Sequence, residues 1–302
     1  MMGGVGTDVL EPNASGGSTR NAAFWAKTCL LVILVGWLYY HILIRLAYDW
    51  WTDPNASHGI LVPVFSAWVA WHIHRKPAWS GSRPSWSGLV VIAMALGILV
   101  VGELGAEFFL SRASLVFLLA GLIVYFLGWR HFRALLFPWA FLFFMIPIPA
   151  IIFNQIAFPL QFLAARLASS LLVLFGVPVL REGNVLQLPT TSLEVAEACS
   201  GIRSLMSLGA LAIIYGYFLE TNNLRRVLLA LAAVPIAVAA NGIRVMGTGL
   251  LGYYWDPEKA EGFFHTFSGW VIFVVSIALL FAFHAALRWI KISPQRSRSV
   301  GG

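Results

Sequence analysis

The sequence is poor in charged residues. Only 11% of its 302 residues are Asp, Glu, Lys or Arg, whereas 59% are hydrophobic and the mean hydropathy is +0.80. A soluble domain is about 25% charged and about 45–50% apolar, so this chain has too little charge to cover a water-soluble globule of its length. The composition therefore excludes an ordinary cytosolic enzyme and a disordered chain. It predicts a polytopic membrane protein with room for roughly seven to ten helical spans.

Cysteine and the common catalytic motifs are scarce as well. The two cysteines, Cys29 and Cys199, cannot build a framework of several disulfides. The patterns His-Glu-x-x-His, Cys-x-x-Cys and Gly-x-Ser-x-Gly do not occur, which argues against a zinc protease or a serine hydrolase. The net charge of +7 comes from short basic clusters between apolar runs, which are typical of topology signals. We therefore expect no metal, no other cofactor and no nucleic-acid partner.

Long apolar runs predict an all-α polytopic fold with about eight transmembrane helices. The runs cover residues 24–48, 59–73, 88–103, 110–128, 134–148, 201–219, 226–250 and 266–289. A further apolar segment, 154–177, carries several polar residues. Treating it as an interfacial or re-entrant helix keeps most of the 20 Lys and Arg residues on one side of the membrane. The positive-inside rule makes that side, with both termini, cytoplasmic.

The polar segments set the remaining boundaries. Residues 1–22 are predicted to form a disordered cytoplasmic tail, residues 23–290 the transmembrane domain, and residues 291–302 a basic cytoplasmic tail. The long polar stretch at 178–198 contains two short β-rich runs around Arg181–Asn184. This pattern predicts a small β-hairpin on the outer face.

Three reactive side chains fall at the outer ends of different predicted spans. Cys199 precedes one span, Arg244 lies in the next, and His265 begins the last. A thiolate near a helix start and a cation such as Arg203 is a good nucleophile, an imidazole transfers protons, and a guanidinium holds an oxyanion. The set fits acyl transfer. The structural alternatives are a small buried cysteine and an interfacial arginine or histidine.

His58 lies on the same predicted outer face, just before the second span. It is a candidate for a second acid/base group or for a residue that orients the substrate. The alternative is an ordinary loop histidine. The sequence alone leaves these possibilities open.

The segments around these residues resemble the exosortase/archaeosortase family. The resemblance is carried by residues 198–203 (ACSGIR), 241–244 (NGIR) and His265. Residues 57–63 (SHGILVP) and 143–149 (FFMIPIP) resemble further segments of that family.

The resemblance implies a transmembrane cysteine transpeptidase in the bacterial inner membrane. Its substrates would be secreted proteins that end in a PEP-CTERM signal: a Pro-Glu-Pro-like motif, a transmembrane helix and a basic cluster. Cleavage at the periplasmic face through a thioacyl intermediate would pass the protein to an acceptor linked to exopolysaccharide. By this resemblance Cys199 is the nucleophile, Arg244 stabilises the oxyanion or binds the substrate, and His265 is the acid/base. His58, Arg203 and Asn241 are the expected substrate-binding or supporting residues.

One alternative belongs to a different functional class. A non-catalytic transporter or an assembly component of exopolysaccharide export would use Arg244 to bind an anionic substrate. Such a protein would not need Cys199. The transpeptidase hypothesis therefore requires the Cys199 thiol, and the transporter hypothesis does not.

Overall fold

The computed structural model describes residues 15–75, 81, 83–195, 201–255 and 263–289, with backbone only for 15–24 and 263–266. The chain divides into two compact units, residues 1–48 and 49–302. The first unit contains α1 (Ser15–Leu38) and most of α2 (Tyr40–Thr52). These two helices are bent by 67° where they join, so the predicted first span is a broken helix.

The second unit is built almost entirely of helices. A 3-10 turn (Ser57–Ile60) is followed by α3 (Leu61–His74), α4 (Ser87–Leu104), α5 (Phe108–Leu127), α6 (Trp129–Ala134), α7 (Leu136–Phe141) and a second 3-10 turn (Leu142–Met145). The longer helices are α8 (Ala150–Leu174), α9 (Ile202–Leu219), α10 (Asn223–Tyr254) and α11 (Phe263–Trp289). Among the described residues, six helices are long and apolar enough to cross a membrane, or seven if the bent pair counts as one. The all-α polytopic class is therefore confirmed.

Three predicted segments differ from the structure in detail. The predicted span at 59–73 forms α3, which has only 14 residues and falls short of the roughly 20 needed to cross a bilayer. The predicted span at 134–148 is divided into short helical pieces that end before the Pro147–Pro149 segment. Proline lacks the amide hydrogen that a continuing helix requires. The ambiguous segment at 154–177 lies largely in α8, a 25-residue helix that satisfies the length and hydropathy criteria for a span.

A small antiparallel sheet covers the polar stretch after α8. Strands β1 (Leu180–Glu182) and β2 (Val185–Gln187) form the predicted hairpin, and β3 (Ser192–Glu194) pairs with β2 as a third strand. Leu186 of β2 is fully buried in a cluster with residues of α8 and with Val245 of α10. The sheet is thereby fixed to the C-terminal halves of these two helices.

The helices α9, α10 and α11 share one apolar core. Leu208 and Ala212 of α9 pack with residues of α10 and with Leu280 of α11. The loop between α9 and α10 is short, and Asn222 begins α10 by accepting a hydrogen bond from the Leu224 amide at 2.9 Å. Because of this short connection, α9 and α10 run in opposite directions side by side.

A buried polar network joins the three helices at the end where α9 stops. The Glu220 carboxylate accepts a hydrogen bond from Nε2 of His284 at 2.7 Å, and Nδ1 of His284 lies 2.7 Å from the Tyr215 hydroxyl. Nη1 of Arg225 lies 3.6 Å from the other Glu220 oxygen. Burial raises the pKa of Glu220, but the His284 hydrogen bond and the Arg225 charge outweigh it and lower the pKa below its ordinary value of 4.5. The carboxylate is therefore ionised at neutral pH.

We predict that Glu220→Gln lowers the thermal stability of the detergent-solubilised protein at pH 7. A buried hydrogen bond to a charged group contributes about 1.5–3 kcal/mol. Because folding lowers the pKa of Glu220, its stabilising effect is fully present above pH 4.5 and is lost as the pH falls through the lowered value. The difference in Tm between wild type and variant should be largest at pH 7 and shrink at pH 4. Glu103→Gln removes an exposed carboxylate and is the control. An equal loss in both variants would contradict the prediction.

Candidate active site

The start of α9 is packed tightly against α10. Gly201 immediately precedes α9 and has a φ of +79°, in the left-handed region that glycine adopts at little cost. A Cβ atom at this position would lie 2.9 Å from Cβ of Asn241, whose side chain is only 2% exposed. The backbone conformation and the close approach therefore both require glycine here. Asn241, predicted as a supporting residue, is the surface against which α9 begins.

Arg244 extends this contact to α11. It follows Asn241 by one helical turn, so the two residues share a face of α10. Nε of Arg244 donates to the Ser268 hydroxyl at 3.4 Å, and a Cβ on Gly269 would lie 3.6 Å from Nη2. The half-buried guanidinium also lines a groove of about 600 Å³ between α10 and α11, with mainly apolar walls that include Phe267. The three predicted catalytic residues, Cys199, Arg244 and His265, are called the triad below. Of these, Arg244 is the residue whose side chain the structure describes.

The other two predicted triad residues adjoin these contacts in the chain. Cys199 is two residues before Gly201 and lies outside the described residues. His265 is in the first turn of α11, one turn before Ser268, and its side chain lies outside the described part. The Gly201–Asn241 and Arg244–Ser268 contacts thus bring together Arg244 and residues that stand two or three positions from Cys199 and His265 in the sequence.

The contacts around Arg244 and the Glu220 network lie at opposite ends of the packed helices α9, α10 and α11, which we call the three-helix unit. The helix between Gly201 and Glu220 is about 28 Å long at 1.5 Å per residue. The number of residues between Gly201 and Glu220 is the same as that between Asn222 and Asn241 along α10, and between positions 265 and 284 along α11. This length is close to the roughly 30 Å hydrocarbon thickness of a bilayer. The two polar clusters are therefore spaced to fall near opposite membrane surfaces.

Arg203 connects α9 to the loop before α3. Its side chain is exposed, and its Nε donates to Oδ1 of Asn55 at 3.4 Å. Among the described residues, no carboxylate lies within ion-pair distance of Arg203. Arg203, predicted as a supporting residue, thus hydrogen-bonds to the side-chain amide of Asn55 in the described part of the chain.

The loop that carries Asn55 and His58 is held by its own turn. The Asp53 carboxylate accepts a hydrogen bond from the backbone N–H of Asn55 at 2.8 Å. This is an Asx turn, which aspartate often forms in loops. Trp50 donates from Nε1 to the carbonyl of Met145 at 2.8 Å. A Cβ on Gly59 would lie 2.3 Å from that indole nitrogen, so only glycine leaves room for it. The segments 57–63 and 143–149 are joined through this tryptophan.

These two segments enclose a second cavity, of about 300 Å³, beside α9. Its lining includes His58, Asn55, Asn154 of α8 and Met206 of α9. Met206 follows Arg203 by one turn, so the same part of α9 that begins at Gly201 also borders this cavity. The sequence identified both segments but did not indicate that they meet.

His58 is half-buried, and its Nε2 atom is buried without a hydrogen-bond partner in the described protein. Burial lowers the pKa of His58 below its ordinary value of 6.5, and hydrogen bonding with the backbone of Phe144 and Asn55 offsets this only in part. The imidazole is therefore neutral at pH 7. A neutral ring keeps one nitrogen that donates and one that accepts.

The sequence alone gives no direct indication that Asn55, Asn154 and Ser268 belong to these sites. Asn55 was detectable in principle, because it stands three residues before His58 in a turn-forming segment. Asn154 and Ser268 carry no local signal, since only the packing of α8 and α11 brings them to these positions. Among the described residues, no group of three His, Cys, Asp or Glu side chains is arranged to bind a metal ion.

We predict that Gly201→Ala destabilises the protein and impairs any activity that depends on the α9 start. A left-handed conformation costs a non-glycine residue about 1–2 kcal/mol, and the contact with Asn241 adds to this cost. Gly209→Ala, in the same helix, is the matched control because a Cβ there meets no atom within 4 Å. The control should be neutral or stabilise by about 0.5–1 kcal/mol. Equal Tm values for the two variants in detergent would contradict the packing argument.

The family comparison agrees with this architecture. The model of the transmembrane exosortase family matches residues 50–282, which is most of the chain and includes both cavities, α9, α10 and most of α11. No curated protein and no solved structure matches the chain. The match covers well over half of the sequence. The chain therefore belongs to the transmembrane exosortase family.

Proposed function

We propose that this exosortase-family protein is a cysteine transpeptidase that cleaves the C-terminal sorting signal of secreted proteins. The observation that carries the proposal is the joining of the α9 start, the Asn241–Arg244 face and Ser268 at one end of the helical unit. Cys199 and His265 stand within one helical turn of these contacts in the sequence. This neighbourhood supports a site to which three chain segments contribute a thiol, a guanidinium and an imidazole.

The proposed chemistry has two half-reactions, formation of a thioester and its transfer to an acceptor. The Cys199 sulfur attacks the carbonyl carbon of the scissile peptide while His265 accepts the thiol proton. Arg244 donates hydrogen bonds to the oxyanion that forms. The C–N bond then breaks, and the proton on His265 passes to the leaving amine. An acceptor nucleophile then attacks the thioester carbonyl and gives its proton to His265. The C–S bond breaks, and the departing Cys199 thiolate takes that proton back.

The distribution of basic residues supports a periplasmic site. Arg225 and Arg226 at the start of α10, and Arg288 at the end of α11, lie at the end of the unit that carries Glu220. The positive-inside rule makes that end cytoplasmic, so the Arg244 end faces the periplasm of a bacterial inner membrane. A substrate anchored with its basic tail inside presents its cleavage motif at the same surface. The family resemblance further suggests a PEP-CTERM-like signal and an acceptor linked to exopolysaccharide.

We predict that Cys199→Ala abolishes processing of a tagged, membrane-anchored substrate that is co-expressed with the protein. Arg244→Lys should lower the rate by about 10²–10³-fold, since one ammonium does not replace the guanidinium donors. His265→Ala should lower it by about 10²–10⁴-fold. Processed and unprocessed substrate are resolved on immunoblots of membranes. Cys29→Ala removes the other cysteine, which is exposed in α1, and should process normally. Normal processing by a stably expressed Cys199→Ala protein would favour the non-catalytic transporter or assembly role instead.

We also predict that a membrane-impermeant maleimide labels Cys199 from the periplasmic side. The experiment uses the Cys29→Ala background in spheroplasts, so that one thiol remains, and the double cysteine variant measures background labelling. A mass shift on the intact protein reports the modification. If labelling requires permeabilised membranes, the proposed orientation is wrong.

A further inference from the structure

The cavity around His58 is not used by the proposed triad. It is enclosed by the 53–60 loop, the 144–148 segment, the start of α8 and Met206 of α9. Its most unusual feature is the buried Nε2 of His58, for which the described protein provides no hydrogen-bond partner. A buried polar group without a partner is destabilising, so such a group in a native protein calls for an explanation. A ligand that bonds to Nε2 is such an explanation.

The cavity walls favour an uncharged ligand. Asp53 in the lining repels an anion, and Arg203, hydrogen-bonded to the lining residue Asn55, repels a cation. The imidazole itself is neutral at pH 7 because burial lowers the pKa of His58. Most other lining groups are apolar, among them Phe144 and Phe153, and the amides of Asn55 and Asn154 supply donors and acceptors. This combination fits an apolar side chain with its main-chain amide.

The position of the cavity links it to the candidate active site. Met206 and the Arg203–Asn55 hydrogen bond attach the cavity to the first turns of α9. Gly201, at the start of the same helix, contacts Asn241 beside Arg244. A volume of about 300 Å³ is at the lower end for ligand pockets and suits one or two residues of an extended chain.

We propose that this cavity is a peptide subsite: it binds an uncharged, apolar residue of the substrate beside the scissile bond, and Nε2 of His58 hydrogen-bonds to the main chain of that residue. This inference rests on the proposed transpeptidase function. His58 is thereby assigned as a residue that binds and orients the substrate. The acid/base step remains with His265.

The test measures kcat and KM of the full-length protein in proteoliposomes, with a membrane-anchored substrate peptide. His58→Ala should raise KM about tenfold with kcat changed less than threefold, because the lost hydrogen bond acts in binding. His58→Gln, whose amide both donates and accepts, should recover most of the affinity. His72→Ala removes an exposed histidine of α3 and should match wild type.

A cavity-filling variant tests the site without altering His58. Ala150→Leu adds bulk at the lining residue that begins α8, and should also raise KM about tenfold. Ile151→Phe adds bulk at the adjacent residue, which is 75% exposed, and should have no effect. Unchanged KM in both His58→Ala and Ala150→Leu, as expected if the cavity holds only solvent, would overturn the proposal. A KM defect in His58→Ala that glutamine does not rescue, together with a normal KM in Ala150→Leu, would also overturn it by indicating a purely structural role.

A binding measurement separates this proposal from the proposed function. Cys199→Ala protein is incubated with substrate that carries a photo-crosslinking apolar residue beside the cleavage position, and the crosslinked peptides are identified by mass spectrometry. Crosslinks to Phe153 or Asn154 that disappear on adding Ala150→Leu support the subsite. Crosslinks confined to other regions overturn it. Normal processing by Cys199→Ala would instead refute the transpeptidase, whatever the crosslinks show.

Discussion

The architecture depends on the close approach of Gly201 to Asn241. Because glycine has no Cβ, the chain enters α9 in a left-handed conformation and lies directly on the α10 face that leads to Arg244. The Arg244–Ser268 hydrogen bond then extends the contact to α11. Any larger residue at 201 would move the α9 start away from α10. The packing of the α9 start against the helix face that carries Arg244 therefore depends on the absence of a side chain at position 201.

At the other end of the same helices, the constraint is the cost of burying charge. Glu220 is 5% exposed and is stabilised by His284 and Arg225, which supply hydrogen bonds and opposite charge. Unpaired, such a carboxylate in an apolar environment would be strongly destabilising. Pairing it ties the ends of α9 and α11 to the start of α10. Because the two polar clusters are the same number of residues apart along all three helices, the distance between them is close to the thickness of the hydrocarbon core of a bilayer.

The groove at Arg244 and the cavity at His58 differ in the ligands that their walls suit. The groove at Arg244 has a cationic group in mainly apolar walls, which suits stabilisation of developing negative charge. The His58 cavity has a neutral imidazole and amides, which suit recognition of an uncharged peptide segment. Met206 of α9 lines the His58 cavity, whereas the Arg244 groove lies between α10 and α11. The transpeptidase proposed above, which must hold a substrate while it exchanges a leaving group for an acceptor, would need both properties.

The sequence alone determined the membrane class, the family resemblance and the hairpin at 180–187, because composition, a short motif such as ACSGIR and two short apolar runs around a polar turn are local properties. It did not determine that 134–148 is broken into short helical pieces or that 154–177 lies largely in one long helix, since apolar content does not distinguish a span from a broken or buried helix. Only the tertiary structure decided that Trp50 joins the His58 loop to the 144–148 segment, and that Ser268 reaches Arg244. Such contacts arise from the packing of helices distant in sequence, which leaves no periodic pattern along the chain.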